Sequence, residues 1–430
     1  MRSLNYDLDD RPPLAEALPL GLQHLVAMLL GNITPPLLIA GALGVSAADR
    51  ALLIQLVLFM AGLATLVQAY PLGPVGGRIP MVMGTSVAFV GGLVAVGRAH
   101  GLPTVFGACL AAAVVEVILG FSIERLKRWF PPLVNGIVLM LIGLNLIPVG
   151  MDFMAGGKGA TDYGTISNLA IAALVAGVVV VLHQWGRGFW SYGSLLLGVA
   201  AGYGVALSLG KVDFAPLATA SWVSIPTPLT FGLEFHWPSI FLVACLYVIS
   251  AMETLGDIAG TFAAVGRKAS HRELRGGLVA DGVMSGLAAL WSAFPNTSYS
   301  QNVGLVSFTG VASRHVTAVT GGLLVVLGIL PKAGALFATI PPPVIGGGGL
   351  IMFGMIFASG AIILHQGAPW NQRTLVILAL SIGLGLGAEL RPDALAALPP
   401  AVHGFFTSSL VTGGLTALLL NRLLPESRES

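Results

Sequence analysis

The sequence predicts an all-α polytopic membrane protein with fourteen transmembrane segments, arranged as two inverted halves of seven. Three observations lead to this fold class. Of the 430 residues, 55% are apolar and only 9% are charged, whereas a soluble domain carries about 25% charged residues. Apolar windows long enough to cross a bilayer recur along the whole chain. A proline- and glycine-rich pattern also occurs twice, 210 positions apart.

The composition excludes several classes of function. So few charges cannot cover a water-facing surface, which argues against a soluble enzyme, a disordered protein or a nucleic-acid binder. The formal net charge of +2 is too small to indicate a polyanionic partner. The sequence has no His-Glu-x-x-His or Gly-x-Ser-x-Gly motif and no repeated filter motif of a channel. We therefore predict that the protein is not an enzyme.

The fourteen predicted segments follow the apolar windows in order. They begin near Leu18, Ala51, Ile79, Pro103, Pro132, Asn168, Trp190, Pro238, Leu274, Asn296, Val316, Val344, Thr374 and Ala401. Fifteen of the 21 Lys and Arg residues then fall in loops on one side and six on the other. Because basic loops stay in the cytoplasm, we predict cytoplasmic N- and C-termini in the plasma (inner) membrane.

The repeated pattern supports two halves. Pro131, Pro132, Val134 and Gly136 open the fifth segment, and the same residue types recur 210 positions later at the start of the twelfth. A repeat of seven segments is odd, so the second copy enters the membrane upside down. The third and tenth segments, 79–96 and 296–311, are short and rich in Gly or polar residues. Interrupted segments at equivalent places are typical of secondary transporters, whose substrate site lies where they meet.

Four acidic residues fall inside predicted segments: Glu116, Glu253, Asp257 and Asp281. Carboxylates at membrane depth are costly, so they usually face a cavity and serve a function. Glu253 and Asp257 share one helix face, one turn apart, and their repulsion favours a bound proton. The alternative is that these acids only bond to neighbouring helices. For Glu116 and for His24, the clearest intramembrane histidine, the structural and the functional interpretation both stay open.

The tenth segment is unusually polar. Six polar side chains lie in the nine positions 296–304 and cannot all face lipid. The amides of Gln301 and Asn302 can both donate and accept hydrogen bonds, which suits a heterocycle with alternating N–H and C=O groups. The alternative is a polar cluster that only packs helices together.

With these residues, the chain resembles the nucleobase–ascorbate transporters, also called nucleobase:cation symporter family 2 (the xanthine/uracil permease type). The stretches that carry the resemblance are Gln23-His24, Gly84-Thr85-Ser86-Val87-Ala88-Phe89-Val90, Glu253 with Gly256-Asp257, Asp281-Gly282, Gln301-Asn302-Val303-Gly304 with Thr309-Gly310, and Ile340-Pro341 to Gly346-Gly347. The resemblance extends over essentially the whole chain, and the tenth-segment motif is its most specific part.

The resemblance implies two domains, each built from both halves. A core domain at 1–128 and 237–338 would hold the substrate. A gate domain at 129–236 and 339–430 would also form a homodimer. The family further implies short strands in the third and tenth segments, and an elevator motion of the core against the gate.

The resemblance also implies roles for particular residues. The substrate-binding residues would be Glu253, Gln301, Ser300, Tyr299, Val87 and Gly31. Proton coupling or support of the site would involve Asp257, Asp281, His24 and Asn302. No catalytic residue, metal or cofactor is expected beyond a co-transported proton, with sodium the less favoured ion. The expected partners are a nucleobase, membrane lipid and a second copy of the chain, but no nucleic acid.

The residue at position 301 bears on the substrate. The Gln at position 301 resembles the residue type of family members that carry xanthine and urate. Uracil-selective members tend to have Glu at this position. The resemblance thus implies proton symport of a purine, with a pyrimidine or other nucleobase as the alternative. Val87 departs from the family's usual Phe, whose ring stacks on the base. An anion transporter of similar fold is a more distant alternative, because the fixed carboxylate of Glu253 would repel an anion.

Overall fold

The fold was analysed in a computed structural model, which describes residues 5–122, 131–187, 189–398, 406–407 and 409–425. The side chains of a few further residues, Gln301 among them, lie outside the described part. The chain is mostly helical. Its first half contains α1 Leu14–Ala42, α2 Ala47–Ala69, β1 Met83–Thr85, a 3₁₀ turn Val87–Phe89, α3 Val90–His100, α4 Leu102–Phe121, α5 Pro132–Met154, α6 Ile166–Trp185, α7 Phe189–Tyr192, α8 Ser194–Ser208 and α9 Ala215–Thr219.

The second half continues the same pattern of long helices with one short strand. It contains α10 Trp237–Ala264, α11 His271–Leu290, β2 Asn296–Ser298, α12 Ser300–Thr309, α13 Arg314–Ile329, α14 Pro331–Ala338, α15 Pro342–Gly367, α16 Gln372–Leu390, a 3₁₀ turn Pro392–Leu395 and α17 Ser409–Leu423.

Eight helices within the described ranges are long and apolar enough to cross a membrane. The number rises to nine if α13 and α14, which are bent by 83° at Leu330, form one broken span. The fourteen segments and the inverted repeat predicted from the sequence remain predictions.

Local sequence signals set several helix ends. Ser270 and Glu273 form a reciprocal capping box at the start of α11. Gly310, with φ of 68°, ends α12 in the left-handed conformation that glycine adopts without strain. Pro295 lacks a backbone N–H and precedes β2, so the chain is extended there rather than helical.

Strands β1 and β2 pair antiparallel, with Gly84 opposite Thr297. The pairing continues beyond both strand ends. The N–H of Tyr299 donates to the Val82 carbonyl (3.1 Å), and the N–H of Ser86 donates to the Pro295 carbonyl (3.0 Å). This short ribbon places the start of α12 beside the residues that enter β1, and the 3₁₀ turn that leads into α3 beside Pro295.

The chain divides into two compact units. The first contains Met1–Phe121 and Asp152–Gly348, and the second contains Ser122–Met151 and Gly349–Ser430. Every candidate site residue lies in the first unit. In the second unit, a Cβ on Gly136 would lie 2.7 Å from the Gly360 carbonyl oxygen, so these helices cross with their backbones close together. The predicted core and gate boundaries remain predictions.

The N-terminal segment pairs with the loop after α12. The N–H of Asn5 donates to the Gly310 carbonyl (2.9 Å), and the N–H of Ala312 donates to the Tyr6 carbonyl (2.8 Å). Nε of Arg314, a buried residue, donates to Oδ1 of Asp9 (2.6 Å). This hydrogen bond from Arg314 lowers the pKa of the Asp9 carboxyl below its usual value.

Candidate functional site

Tyr299 fills the space between α1 and the strand pair. Its hydroxyl donates to the Thr85 carbonyl (2.9 Å), and the residue is only 5% exposed. A Cβ on Gly31 would lie 2.6 Å from Cε1 of this ring, and a Cβ on Gly84 would lie 2.8 Å from Cε2. Gly31 and Tyr299, both predicted to bind substrate, therefore contact each other, and the missing side chains at positions 31 and 84 make room for the ring.

The β1 side of the site contains buried polar groups without partners. Oδ1 of Asn32 accepts from the N–H of Thr85 (2.7 Å). No partner among the described residues reaches Nδ2 of Asn32, Oγ1 of Thr85 or Oγ of Ser86, although all three atoms are buried. Val87 follows directly and is half-buried. Three buried hydrogen-bonding groups thus have no partner within the described ranges.

On the β2 side, Asp257 is bound by hydroxyls on both of its carboxyl oxygens. Oγ of Ser298 donates to Oδ2 (2.6 Å) and Oγ of Ser300 donates to Oδ1 (2.6 Å). Asp257 lies on α10 and is 9% exposed. The two serines flank Tyr299, so this carboxylate fixes the turn from β2 into α12.

Asp281 on α11 is connected to the same network through Thr254. Oγ1 of Thr254 donates to Oδ2 of Asp281 (2.5 Å). The same Thr254 oxygen lies 3.5 Å from Oγ of Ser298. Hydroxyl groups therefore link the two aspartates across α10, β2 and α11.

Glu253 differs from both aspartates. It is half-buried, and no hydrogen bond joins its carboxylate to any described residue. Gly256, on the next turn of α10, is exposed, and nothing lies within 4 Å of the position of a Cβ there. The Glu253 carboxylate therefore has no hydrogen-bond partner within the described part of the chain. Gln301 has its backbone in the first turn of α12, but its side chain lies outside the described residues, so its pairing with Glu253 across the substrate remains a prediction.

His24 and Asn302 are brought together from opposite ends of the first unit. Nδ2 of Asn302 donates to the His24 carbonyl (3.1 Å) and lies 2.9 Å from Nδ1 of the imidazole. Both residues are buried. This contact joins α1 to α12 beside the strand pair.

Sequence reasoning missed three residues that complete this network. Asn32 bonds β1, Ser298 bonds Asp257, and Thr254 connects Asp257 with Asp281. Signals existed, because Asn32 follows Gly31 and Thr254 follows Glu253 in the chain. Small polar residues are common in helices, however, and their partners lie far away in sequence.

The long apolar helices within the described ranges and the family match together define a multi-pass membrane permease. The family profile described as "Permease family" matches residues 15–393. The chain is 37% identical to the uric acid permease PucK of Bacillus subtilis, over 94% of both chains. It is 36% identical to the xanthine permease XanP of Escherichia coli, over 99% of this chain and 96% of that one. The chain belongs to this family of xanthine and uric acid permeases, which confirms the resemblance given by the motifs.

Solved structures of lower identity share the fold. The transmembrane domain of the cyanobacterial bicarbonate transporter BicA superimposes with a TM-score of 0.61 at 14% identity, covering 96% of this chain and 98% of that domain. The murine anion transporter Slc26a9 gives a TM-score of 0.64 at 14% identity, covering 97% of this chain and 69% of that one. These two transporters therefore share the fold of this chain. The family match and the eight apolar helices within the described ranges make the chain an integral multi-pass membrane protein.

Proposed function

We propose that the protein imports a purine nucleobase, xanthine or urate, across the plasma membrane by proton symport. The observation that carries this proposal is the Glu253 carboxylate, which is half-buried and unbonded among the described residues, beside a paired Asp257. The names of the relatives, a uric acid permease and a xanthine permease, support the purine class. A uracil or other pyrimidine symporter is the second candidate.

The chemistry of the site suits a purine with oxo groups. A carboxylate accepts hydrogen bonds from ring N–H groups and binds them strongly because it is charged. Gln301 and the backbone at Ser300, at the start of α12, would read a carbonyl and N–H pair. Near the same strand ribbon, Asn32 and Thr85 have unused hydrogen-bonding groups. An inorganic anion such as sulfate would gain nothing from Glu253, because it has no ring N–H groups to donate to this carboxylate.

The acidic residues of the site support the proposal of proton coupling. A proton that binds one of the carboxyl groups at Glu253, Asp257 or Asp281 reduces the charge that the loaded site carries through the membrane. His24 and Asn302 would support this network from α1 and α12. The proposed transport requires no cofactor besides the proton. It makes and breaks no covalent bond, so we do not propose an enzymatic activity.

The proposed transport cycle uses the predicted fold. We assign fourteen segments in two inverted halves, cytoplasmic termini, and an elevator motion of the core (1–128 and 237–338) against the gate (129–236 and 339–430). The pairing of the third segment with the tenth through β1 and β2 supports the repeat. We propose that two copies of the chain form a homodimer through the gate domain. The other proposed partner is the surrounding lipid, and no nucleic acid is involved.

A thermal-shift screen of the purified protein tests the substrate. Ligands that bind the native state raise its melting temperature. We expect xanthine or urate to raise it most, with guanine, adenine and uracil weaker and sulfate inactive. A response to uracil alone would favour the pyrimidine symporter. A response to sulfate alone would contradict nucleobase transport.

Uptake into proteoliposomes tests the coupling ion. We expect an inward proton gradient to drive accumulation of radiolabelled xanthine, and an uncoupler to abolish it. A sodium gradient of equal size serves as the matched control. Uptake that ignores the proton gradient contradicts proton symport, and uptake that follows the sodium gradient identifies sodium as the coupling ion.

A further inference from the structure

Glu116 is a fully buried acid that is not among the candidate substrate-binding residues. It lies on α4 with 0% exposure, and neither of its carboxyl oxygens has a hydrogen-bond partner among the described residues. Oδ1 of Asp281, on α11, is equally buried and equally without a partner. Asp257 is the contrast, because hydroxyls bind both of its oxygens.

The two unpartnered acids lie against each other. Asp281 precedes Gly282, where a Cβ would lie 2.8 Å from the Val117 nitrogen and 3.1 Å from Cβ of Glu116. This close crossing of α4 and α11 places the Glu116 carboxyl within hydrogen-bonding reach of the Asp281 carboxyl. The contact therefore joins two groups that are acceptors only when ionised.

No basic side chain balances this pair in the described part of the chain. The titratable groups that act on it are Glu253, Asp257 and Tyr247 on α10, and the Tyr247 hydroxyl itself donates to the Cys109 carbonyl on α4 (3.1 Å). None of these groups is a cation, and α3, which also packs on α4, contributes none. Two ionised carboxylates in such surroundings would repel each other with no cation among the described residues to balance them.

One proton resolves the conflict. We propose that Glu116 is held as a neutral carboxylic acid whose O–H donates to Oδ1 of Asp281, so that Glu116 is a positioning residue for the proton-coupling network. Asp281 then has two donors, Thr254 on Oδ2 and Glu116 on Oδ1, just as Asp257 has Ser298 and Ser300. The proton stays between the two carboxyl groups while the substrate binds. This inference rests on the proposed proton symport for its role in transport, but not for the acid pair itself.

Infrared spectroscopy of the purified protein tests the pair without any substrate. Glu116→Gln replaces the acid O–H by an amide N–H donor of similar size. Cys109→Ala, on the same helix and also buried, is the matched control. We expect the difference spectrum between the unmodified protein and Glu116→Gln to show loss of a carboxylic-acid C=O band, and Cys109→Ala to retain it. Loss of carboxylate stretching bands instead would overturn the proposal, because Glu116 would then be ionised.

A second variant keeps the test decisive if Glu116→Gln cannot be purified. Asp281→Asn leaves Glu116 in place but removes its ionised acceptor. The acid C=O band should remain and shift in frequency, because its hydrogen bond to a carboxylate is lost. An unchanged band position in Asp281→Asn would overturn the assignment of the acceptor.

The pH profile of xanthine uptake shows whether Glu116 positions Asp281 through its proton or only packs between helices. We expect uptake by the unmodified protein and by Cys109→Ala to fall together as the pH becomes alkaline and Glu116 loses its proton. Uptake by Glu116→Gln should continue to higher pH, because an amide cannot lose its donor in this range, and Glu116→Leu should lose uptake. Coincident profiles for Glu116→Gln and the unmodified protein, or normal uptake by Glu116→Leu, would contradict the role. If no variant transports any purine, the proposed function fails while the infrared result still decides the acid pair.

Discussion

The two strands of the central ribbon differ in how their polar groups are satisfied. Around β2, Ser298 and Ser300 donate to Asp257, and Tyr299 donates to the Thr85 carbonyl. Around β1, Nδ2 of Asn32 and the hydroxyls of Thr85 and Ser86 have no partner among the described residues. The strands pair residue by residue, yet only the β1 side has three buried side-chain atoms close together without a partner among the described residues.

This difference suggests that the two strands have different roles. Buried polar groups are nearly always hydrogen-bonded in folded proteins, and unpaired ones mark a site that a ligand or water completes. The β2 side holds the geometry of the site through an acid. Under the proposed function, the unpaired groups on the β1 side would bind the substrate. Variants on each strand should therefore fail in different ways.

The largest effect is expected at the free acid. Glu253→Gln removes the charged acceptor and Gln301→Ala removes the amide, and losing a charged partner of a buried group costs about 3 kcal/mol, or about 100-fold in affinity. Uptake of radiolabelled xanthine and urate should be lost in both variants, while immunoblots show normal amounts in the membrane. If both variants transport at the normal rate, the assignment of the site is wrong.

The next largest effect concerns the ring between the strands. Gly31→Ala places a Cβ 2.6 Å from Cε1 of Tyr299, so the ring must move and the ribbon with it. Overpacking of this kind costs about 1–3 kcal/mol, and xanthine uptake should fall about tenfold. Tyr299→Phe is the control, since it keeps the ring and loses only the bond to Thr85, worth about 1 kcal/mol. An equal loss in both variants would mean that the hydroxyl matters as much as the space for the ring, and would contradict the expected order of effects.

Paired serine variants test the comparison directly. Ser298→Ala removes a donor to a carboxylate and should lower the free energy of unfolding by about 2 kcal/mol. Ser86→Ala removes a hydroxyl that has no partner in the described structure, so stability should hold while xanthine binding weakens. Thermal unfolding with and without xanthine measures both quantities. A stability loss as large in Ser86→Ala as in Ser298→Ala would remove the distinction between the strands.

Position 87 allows a gain of function on the β1 side. Val87→Phe introduces a ring beside the site, and aromatic stacking is worth about 1 kcal/mol, close to a tenfold gain in affinity. Titration of the purified protein with xanthine and urate measures the change, and Val87→Leu controls for added bulk without a ring. Weaker binding in Val87→Phe than in Val87→Leu would show that this position cannot accept a stacking ring.

The smallest effect is expected far from the ribbon, where the N-terminal segment holds the end of α12. Asp9→Asn should lower stability by at most about 1 kcal/mol, because Asp9 is exposed. Arg314 lowers the pKa of Asp9, so the stabilisation exists above the ordinary carboxyl pKa and vanishes as the pH falls through the lowered one. Melting curves of the two proteins should therefore converge in acid. A difference that grows on acidification would contradict this ion pair.

The sequence allowed much of this protein to be predicted, because its motifs are dense. The motif at Gln301 to Gly304 and the acids of α10 led to the permease family, which the comparisons confirm. Helix periodicity placed the Glu253 and Asp257 carboxylates on one face of α10 and gave no reason to expect different surroundings for them. Their environments differ because Ser298 and Ser300, more than 40 residues further on, reach only Asp257.

Other contacts had no local signal. His24 and Asn302 are 278 residues apart in sequence and meet only through the fold. The sequence assigned Tyr299 to the substrate, and the structure buries its ring against Gly31. Such pairings depend on how helices cross, which hydropathy and spacing along one chain do not encode.

The strand ribbon also has a consequence for the order in which the protein is made. Thr85 and its partner Asn296 leave the ribosome about 10 to 40 s apart at the usual rate of synthesis. In that interval, Thr65 and Asn32, both synthesised earlier, can already accept from the N–H groups of Met83 and Thr85, as they do in the finished fold (3.0 and 2.7 Å). Residues of the first half can thus hold β1 before β2 is made, and the ribbon can close only after Ser298 has been synthesised.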